Sequence, residues 1–173
     1  VTAVLQMQQA KNTPEEERTE EQQALLDGAI PRNPDQWDGY DFEREDLLTH
    51  AAQLQSRLVV VTGDTHNSWA SQVTTADGTV VGVEFGGMSV SSPGAEAVIG
   101  VDNAELFGPL AVGLIDDLTY ADLVRRGYMS VTFSADDVTC DYRYVTAIDT
   151  TDYAIDEKNG RSFTVSRDDL LLS

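Results

Sequence analysis

The chain has 173 residues, with 30 acidic against 11 basic side chains and a formal net charge of −19. Lysine occurs only at Lys11 and Lys158, and so negative a surface argues against nucleic acid and anionic membrane as partners, because like charges repel. The length suffices for one substantial core, and no run approaches the ~18 consecutive apolar residues of a membrane-spanning helix.

In chain order, Val1 to Met7 is a short mixed apolar segment that reads as the end of a core strand. Thr13-Pro14-Glu15-Glu16-Glu17 places a cap residue, a proline and three acids at a helix start, where proline and negative charge are favoured. A solvated helix is predicted over 14–27, stopped by Gly28. A loop with Pro31 and Pro34 leads to Trp37-Asp38-Gly39-Tyr40. Its two aromatics read as a clamp pinning the loop to the sheet, or as the lining of a site's mouth. Asp41 is a predicted N-cap, and 42–56 a helix with Leu47, Leu48, Ala51 and Leu54 on one face. His50, within it, reads as structural or solvent-facing.

Leu58-Val59-Val60-Val61-Thr62 has no polar alternation and reads as a strand buried on both faces. Gly63 breaks it, and Asp64-Thr65-His66-Asn67-Ser68-Trp69 follows. α/β enzymes deliver ligand-binding side chains from the C-terminal ends of such strands. Asp64 and His66, two residues apart, point the same way in an extended loop. Carboxylate oxygen plus imidazole nitrogen suits a divalent or trivalent metal. The plain alternative is a helix N-cap at Asp64 or Thr65, with His66 a satisfied loop histidine.

Ser68 to Ser71 reads as the opening of a helix or turn, and Asp77-Gly78 as a type I′ hairpin signal before a strand over 79–85. Gly86-Gly87 permits a bend beside a crowded sheet. Residues 93–113 read as a long connection with short helices at 94–100 and 103–107, and 116–126 as a helix ending at Gly127. An antiparallel hairpin is predicted from 128–134 and 138–149, then a last strand over 161–165 and a turn of helix over 168–172. The single cysteine, Cys140, excludes an internal disulfide and reads as a buried structural thiol. Mixed strand directions make the fold class α/β.

Three stretches carry a resemblance to a known family. Val60-Val61-Thr62-Gly63-Asp64-Thr65-His66-Asn67-Ser68-Trp69-Ala70 resembles the second-half metal motif of PhoD-type alkaline phosphatases. Upstream, Asp35-Gln36-Trp37-Asp38-Gly39-Tyr40 resembles that family's D-x-W-D-G-Y segment. Downstream, Glu84-Phe85 and Ser91-Ser92-Pro93-Gly94 resemble its E-F…S-S-P-G segment, and Arg126-Gly127-Tyr128 also fits. The resemblance implies a four-layer α/β/β/α metallophosphoesterase sandwich with mixed sheets, of which residues 1–173 form the C-terminal portion of one domain. It also implies hydrolysis of phosphate mono- or diesters, with iron and calcium as cofactors and zinc or manganese suited to related sites. Asp64 would be a metal ligand, and His66 a metal ligand or catalytic contact to the phosphoryl group. Asn67 stands where the resemblance leads one to expect serine. Because the family's other ligands have no counterpart in this sequence, the expected partner is another polypeptide carrying the preceding half. The expected location is periplasmic or extracellular, although the chain shows no signal peptide. The competing readings are a non-catalytic acidic binding or structural subunit, and a phospholipase D-like phosphodiesterase on the same scaffold.

Overall fold

The computed structural model describes residues 2–27 and 36–172. The predicted stop at Gly28, the prolines at 31 and 34, and Asp35 lie outside the described residues.

Helix α1 (Thr2–Asn12) replaces the strand expected over 1–7. Its Gln- and Ala-rich sequence favours helix, and Lys11 Nζ anchors its end to Leu114 O at 2.7 Å and Asp116 Oδ1 at 2.5 Å. The acidic segment divides into a 3-10 turn (Glu15–Glu17) and α2 (Glu20–Asp27). Thr19 and Gln22 close a reciprocal cap there: Gln22 N donates to Thr19 Oγ1 at 3.1 Å and Thr19 N to Gln22 Oε1 at 3.0 Å. Helix α3 (Asp41–Gln53) lies where expected, but Tyr40 is its N-cap residue. Its buried face is narrower than the pattern suggested, with Leu48 and Ala51 inside and Leu47 and Leu54 exposed. Trp37 and Tyr40 are each about half exposed rather than clamped.

Seven strands follow among the described residues. A mixed sheet has the order β1 (Leu58–Thr62), β3 (Val80–Gly86), β2 (Ser68–Thr74), β4 (Leu118–Asp122). β1 runs parallel to β3, with Val60 opposite Glu84, and the other pairings are antiparallel. A second, antiparallel sheet has the order β5 (Gly127–Phe133), β6 (Asp137–Tyr144), β7 (Arg161–Ser166). The predicted hairpin and last strand are therefore present. Residues 168–172 are not helical, because Leu170 and Leu172 lie extended against the core between the sheets.

Period-two alternation sorts the mixed sheet's side chains between two cores. Val59, Ala70, Val83 and Phe85 face the second sheet and pack with Cys140, Tyr142, Tyr144 and Val165. Leu58, Val60 and Val73 face α3, and Val81 joins them because a register shift opposite Val73/Thr74 breaks the alternation of β3 before Val83. Trp69, Leu118 and Ala121 pack against α5 (Val101–Leu114), which follows the short α4 (Glu96–Ile99). The described layers are thus helices, mixed sheet and antiparallel sheet, forming part of the α/β/β/α arrangement.

Five further expectations give way to the structure. Ser68 to Ser71 belongs to β2, not to a helix or turn. Residues 118–122 form β4 because Leu118 and Ala121 are buried against α5 while the backbone pairs with β2. Residues 101–114 form one helix, with Pro109 inside it. Among the described residues β1 is an edge strand, with Val61 53% exposed and only 58–60 partly covered. At the β2–β3 turn only Gly78, not Asp77, has positive φ. A type I′ turn needs both. The turn is instead a longer loop closed by Thr75 N to Thr79 O at 3.0 Å and Gly78 N to Thr75 O at 2.9 Å.

Candidate functional site

β1 ends at Thr62, whose hydroxyl donates to Glu84 Oε1 on the adjacent β3 at 2.9 Å. The chain leaves the sheet at Gly63 and re-enters at Ser68. Between them Asp64 and His66 have φ of +69° and +60°, a region that L-residues other than glycine, asparagine and aspartate seldom occupy. Asp64 is exposed and His66 partly exposed, so the loop presents both side chains outward.

The ring of His66 is held by its Nδ1, 2.7 Å from Pro93 O. A carbonyl oxygen only accepts, so Nδ1 carries the hydrogen and donates. The neutral imidazole then keeps its lone pair on Nε2, and metal-ligating histidines are oriented in this way. The next residue, Asn67, is 97% buried and takes a hydrogen bond on Oδ1 from Ala95 N at 3.3 Å. Its Nδ2 has no partner among the described residues. The loop 63–67 is thereby tied at two points to residues 93–95.

That second segment is fixed from below by Arg126. Its side chain is 4% exposed and donates through Nε to Ser92 O at 2.7 Å, through Nη1 to Val124 O at 2.9 Å, and through Nη2 to the Glu96 carboxylate. Glu96 also accepts from Gly94 N at 3.1 Å. Burial alone would raise the Glu96 carboxyl pKa, but the bonds from Arg126 and Gly94 outweigh it and hold the carboxyl below its usual range. Gly94 is required by the close approach of the segments: a Cβ there would lie 2.6 Å from Asn67 Nδ2 and 3.0 Å from His66 O. Gly127 is required likewise, since its Cβ would fall 1.9 Å from Arg143 O.

The D-T-H-N loop, the S-S-P-G segment and Arg126-Gly127, which are far apart in sequence, therefore meet at one place. His50 lies exposed on α3. The roles of Arg126, Glu96 and Asn67 had no local signal, because their partners stand about 30 residues away.

Beneath the loop, Ser68 Oγ accepts from Tyr144 Oη at 2.9 Å, Tyr144 Oη lies 2.7 Å from Tyr120 Oη, and Tyr142 Oη donates to Trp69 O at 2.5 Å. Burial pushes all three phenols up, so they stay neutral. The Cys140 thiol, fully buried beside them, is pushed up to about 11 by the same cause. It is an inert packing group.

As a metal site the loop offers one carboxylate and one imidazole Nε2. Among the described residues no group of three or more His, Cys, Asp and Glu side chains could hold a metal ion. The donor chemistry fits a metal, but the set is partial. No helix among the described residues is long and apolar enough to cross a membrane.

The PhoD-like phosphatase family model matches residues 2–142. Over 115 residues the chain is 30% identical to alkaline phosphatase D of Bacillus subtilis (strain 168), covering 63% of this chain and 18% of that protein. A solved structure of PhoD superposes with a TM-score of 0.58 at 22% identity, over 80% of this chain and 26% of that one. That likeness bears on the fold alone. The chain thus spans less than a fifth of the curated relative's length.

Proposed function

The chain belongs to the PhoD-like phosphatase family, and from that premise we propose that it supplies part of a metal-dependent site that hydrolyses phosphate esters. The observation that carries this reading is the Nδ1–Pro93 O bond, which leaves His66 Nε2 as a free donor atom beside Asp64 on an exposed loop. Two donors are fewer than the four or more that metals take. The remaining ligands are assigned to a preceding half of the domain, on another polypeptide or a longer chain, with residues 1–173 as the C-terminal portion. Iron and calcium are the proposed ions, with zinc or manganese as substitutes, and the proposed location is periplasmic or extracellular.

When bound, such ions supply Lewis acidity and activate water at neutral pH. This chain's residues do the rest of what is proposed here. Asp64 contributes negative charge to hold a cation. Pro93 O fixes the tautomer and orientation of His66. The Arg126–Glu96 pair keeps the 91–96 segment, and with it Pro93, in place.

Asp64→Asn preserves shape and removes a charge. With the preceding half of the domain present, elemental analysis and calorimetric titration with Mn²⁺ should show at least a tenfold loss of metal affinity for Asp64→Asn and His66→Ala, and none for His50→Ala. Affinity should also fall on acidification, since a protonated imidazole cannot ligate. Equal effects of the His66 and His50 substitutions, or wild-type metal content in Asp64→Asn, would overturn the assignment.

A further inference from the structure

On the helical side of the mixed sheet, α4, α5 and β2 enclose a half-open cavity of about 560 Å³. Its walls are Trp69, Ile99, Leu106, Phe107, Leu110 and Leu123, with Asn103 as the one polar side chain. The Asn103 amide is already engaged, donating to Ile99 O at 2.7 Å. The wall is therefore mostly hydrocarbon and rings, with the Asn103 amide as its polar exception. The volume falls within the ~300–1,000 Å³ of ordinary small-molecule sites, and Ile99, Leu106 and Phe107 stand 38–54% exposed at its mouth.

The cavity is joined to the candidate metal loop by two short links. Trp69 Nε1 donates to Thr65 Oγ1 at 3.0 Å, so one cavity wall is tied to the residue between Asp64 and His66. Ala95, which also lines the cavity, donates to Asn67 Oδ1, and Pro93 two residues before it holds the His66 ring. Residues 94–114 carry Glu96, Asp102 and Glu105 and no lysine or arginine. A free phosphate gains nothing from that electrostatic environment, whereas an alkyl chain or aromatic ring gains by leaving water.

Resting on the phosphoesterase reading above, we propose that this cavity binds the apolar alcohol portion of the ester, an alkyl or aryl group, while the phosphate faces the 63–67 loop. Trp69 forms the shared wall. Substrates with an apolar group are selected over small polar phosphates by burial in this cavity.

The test needs no metal and no turnover, so it is independent of whether Asp64 and His66 ligate. The chain has two tryptophans, and Trp37→Phe leaves Trp69 as the only reporter. This variant, verified by circular dichroism, is titrated with n-octyl phosphate below its micelle concentration, with glycerol 3-phosphate and with inorganic phosphate. The expected result is a saturable change in Trp69 emission with octyl phosphate alone. Ile99→Gln or Leu106→Gln, at exposed positions, should raise its dissociation constant at least tenfold with the folded spectrum kept. Equal responses to all three phosphates would overturn the proposal, as would octyl phosphate binding that neither variant weakens. So would absent binding accompanied by a dimer that Leu106→Gln splits in light scattering, because the face would then be a contact between copies. Metal loss in Asp64→Asn with octyl phosphate binding kept would support both readings. Octyl phosphate binding kept while Asp64→Asn retains metal would overturn only the metal assignment.

Discussion

The 63–67 loop and the tyrosine layer beneath it are neighbours in the fold, far apart in sequence, and opposite in construction. The loop has two non-glycine residues at positive φ, Asp64 and His66, whose side chains are exposed or partly exposed. The layer has Tyr142 and Tyr144 essentially fully buried, bonded to Trp69 O and Ser68 Oγ, with Phe163 and Tyr120 rings packed at centroid distances of 5.4–6.1 Å. Binding residues are commonly displayed on loops that a rigid scaffold positions. Here the scaffold acts through two routes: directly on Ser68 and Trp69 from below, and sideways through Arg126 and the 91–96 segment. Disturbing the scaffold should cost stability, and disturbing the loop should cost binding.

The largest effect is expected for Arg126→Ala. It removes a buried guanidinium and leaves Glu96, Ser92 O and Val124 O short of a donor. Removing one partner of a buried ion pair costs about 3 kcal/mol or more, to be read from urea denaturation. Because Pro93 loses its support, metal affinity should fall as well. The same interaction gives a pH dependence. The Glu96 carboxyl titrates lower in the folded than in the unfolded chain, so its contribution is complete above the usual carboxylate range and is lost as pH falls through the depressed folded value. Glu96→Gln should flatten that acid limb, and an unchanged limb would show that the pair is not coupled to folding.

A smaller effect is expected for Tyr144→Phe. Its hydroxyl serves both Ser68 and Tyr120, and leaving such buried groups unpaired costs about 2 kcal/mol. The fold should survive with a lower denaturation midpoint, and metal stoichiometry should stay at wild type. A Tyr144→Phe protein that binds no metal would show that the layer shapes the loop as well as bearing it.

Much of this contrast was legible in the sequence, but unevenly. The apolar run 58–62, the glycine break and the D-x-H pair located the loop, and strict alternation from Tyr128 to Phe133 located the second sheet's first hairpin. Asp117-Leu118-Thr119-Tyr120-Ala121-Asp122 misled, because its local pattern suits a helix turn while its pairing with β2 decides otherwise. Residues 101–114 misled in the other sense: glycine and proline suggested a connection, yet packing of Ala104, Gly108 and Ala111 holds a helix. Arg126 lay inside a matched motif, but no local signal shows which distant carbonyls a guanidinium will reach. Val61 seemed as buried as Val59, because a strand's sequence does not state whether it lies at a sheet's edge.

The smallest effect on stability sharpens the comparison most. Asp64 adopts φ +69° while exposed. A non-glycine residue pays about 1 kcal/mol or more in that region, aspartate toward the lower end, and glycine adopts it freely at some cost in unfolded-chain entropy. Asp64→Gly should therefore raise the stability of the apo protein by about 0.5 kcal/mol, measured as a small rise in urea midpoint. In the same protein Mn²⁺ binding should fall at least tenfold, because the carboxylate is gone. His66→Gly, at φ +60°, should behave alike only in part, since it also loses the bond to Pro93 O. Backbone strain retained where a side chain is needed for binding is what a functional loop would show. If Asp64→Gly destabilises the protein, the aspartate is held there for the fold, and the division between loop and scaffold fails at its central residue.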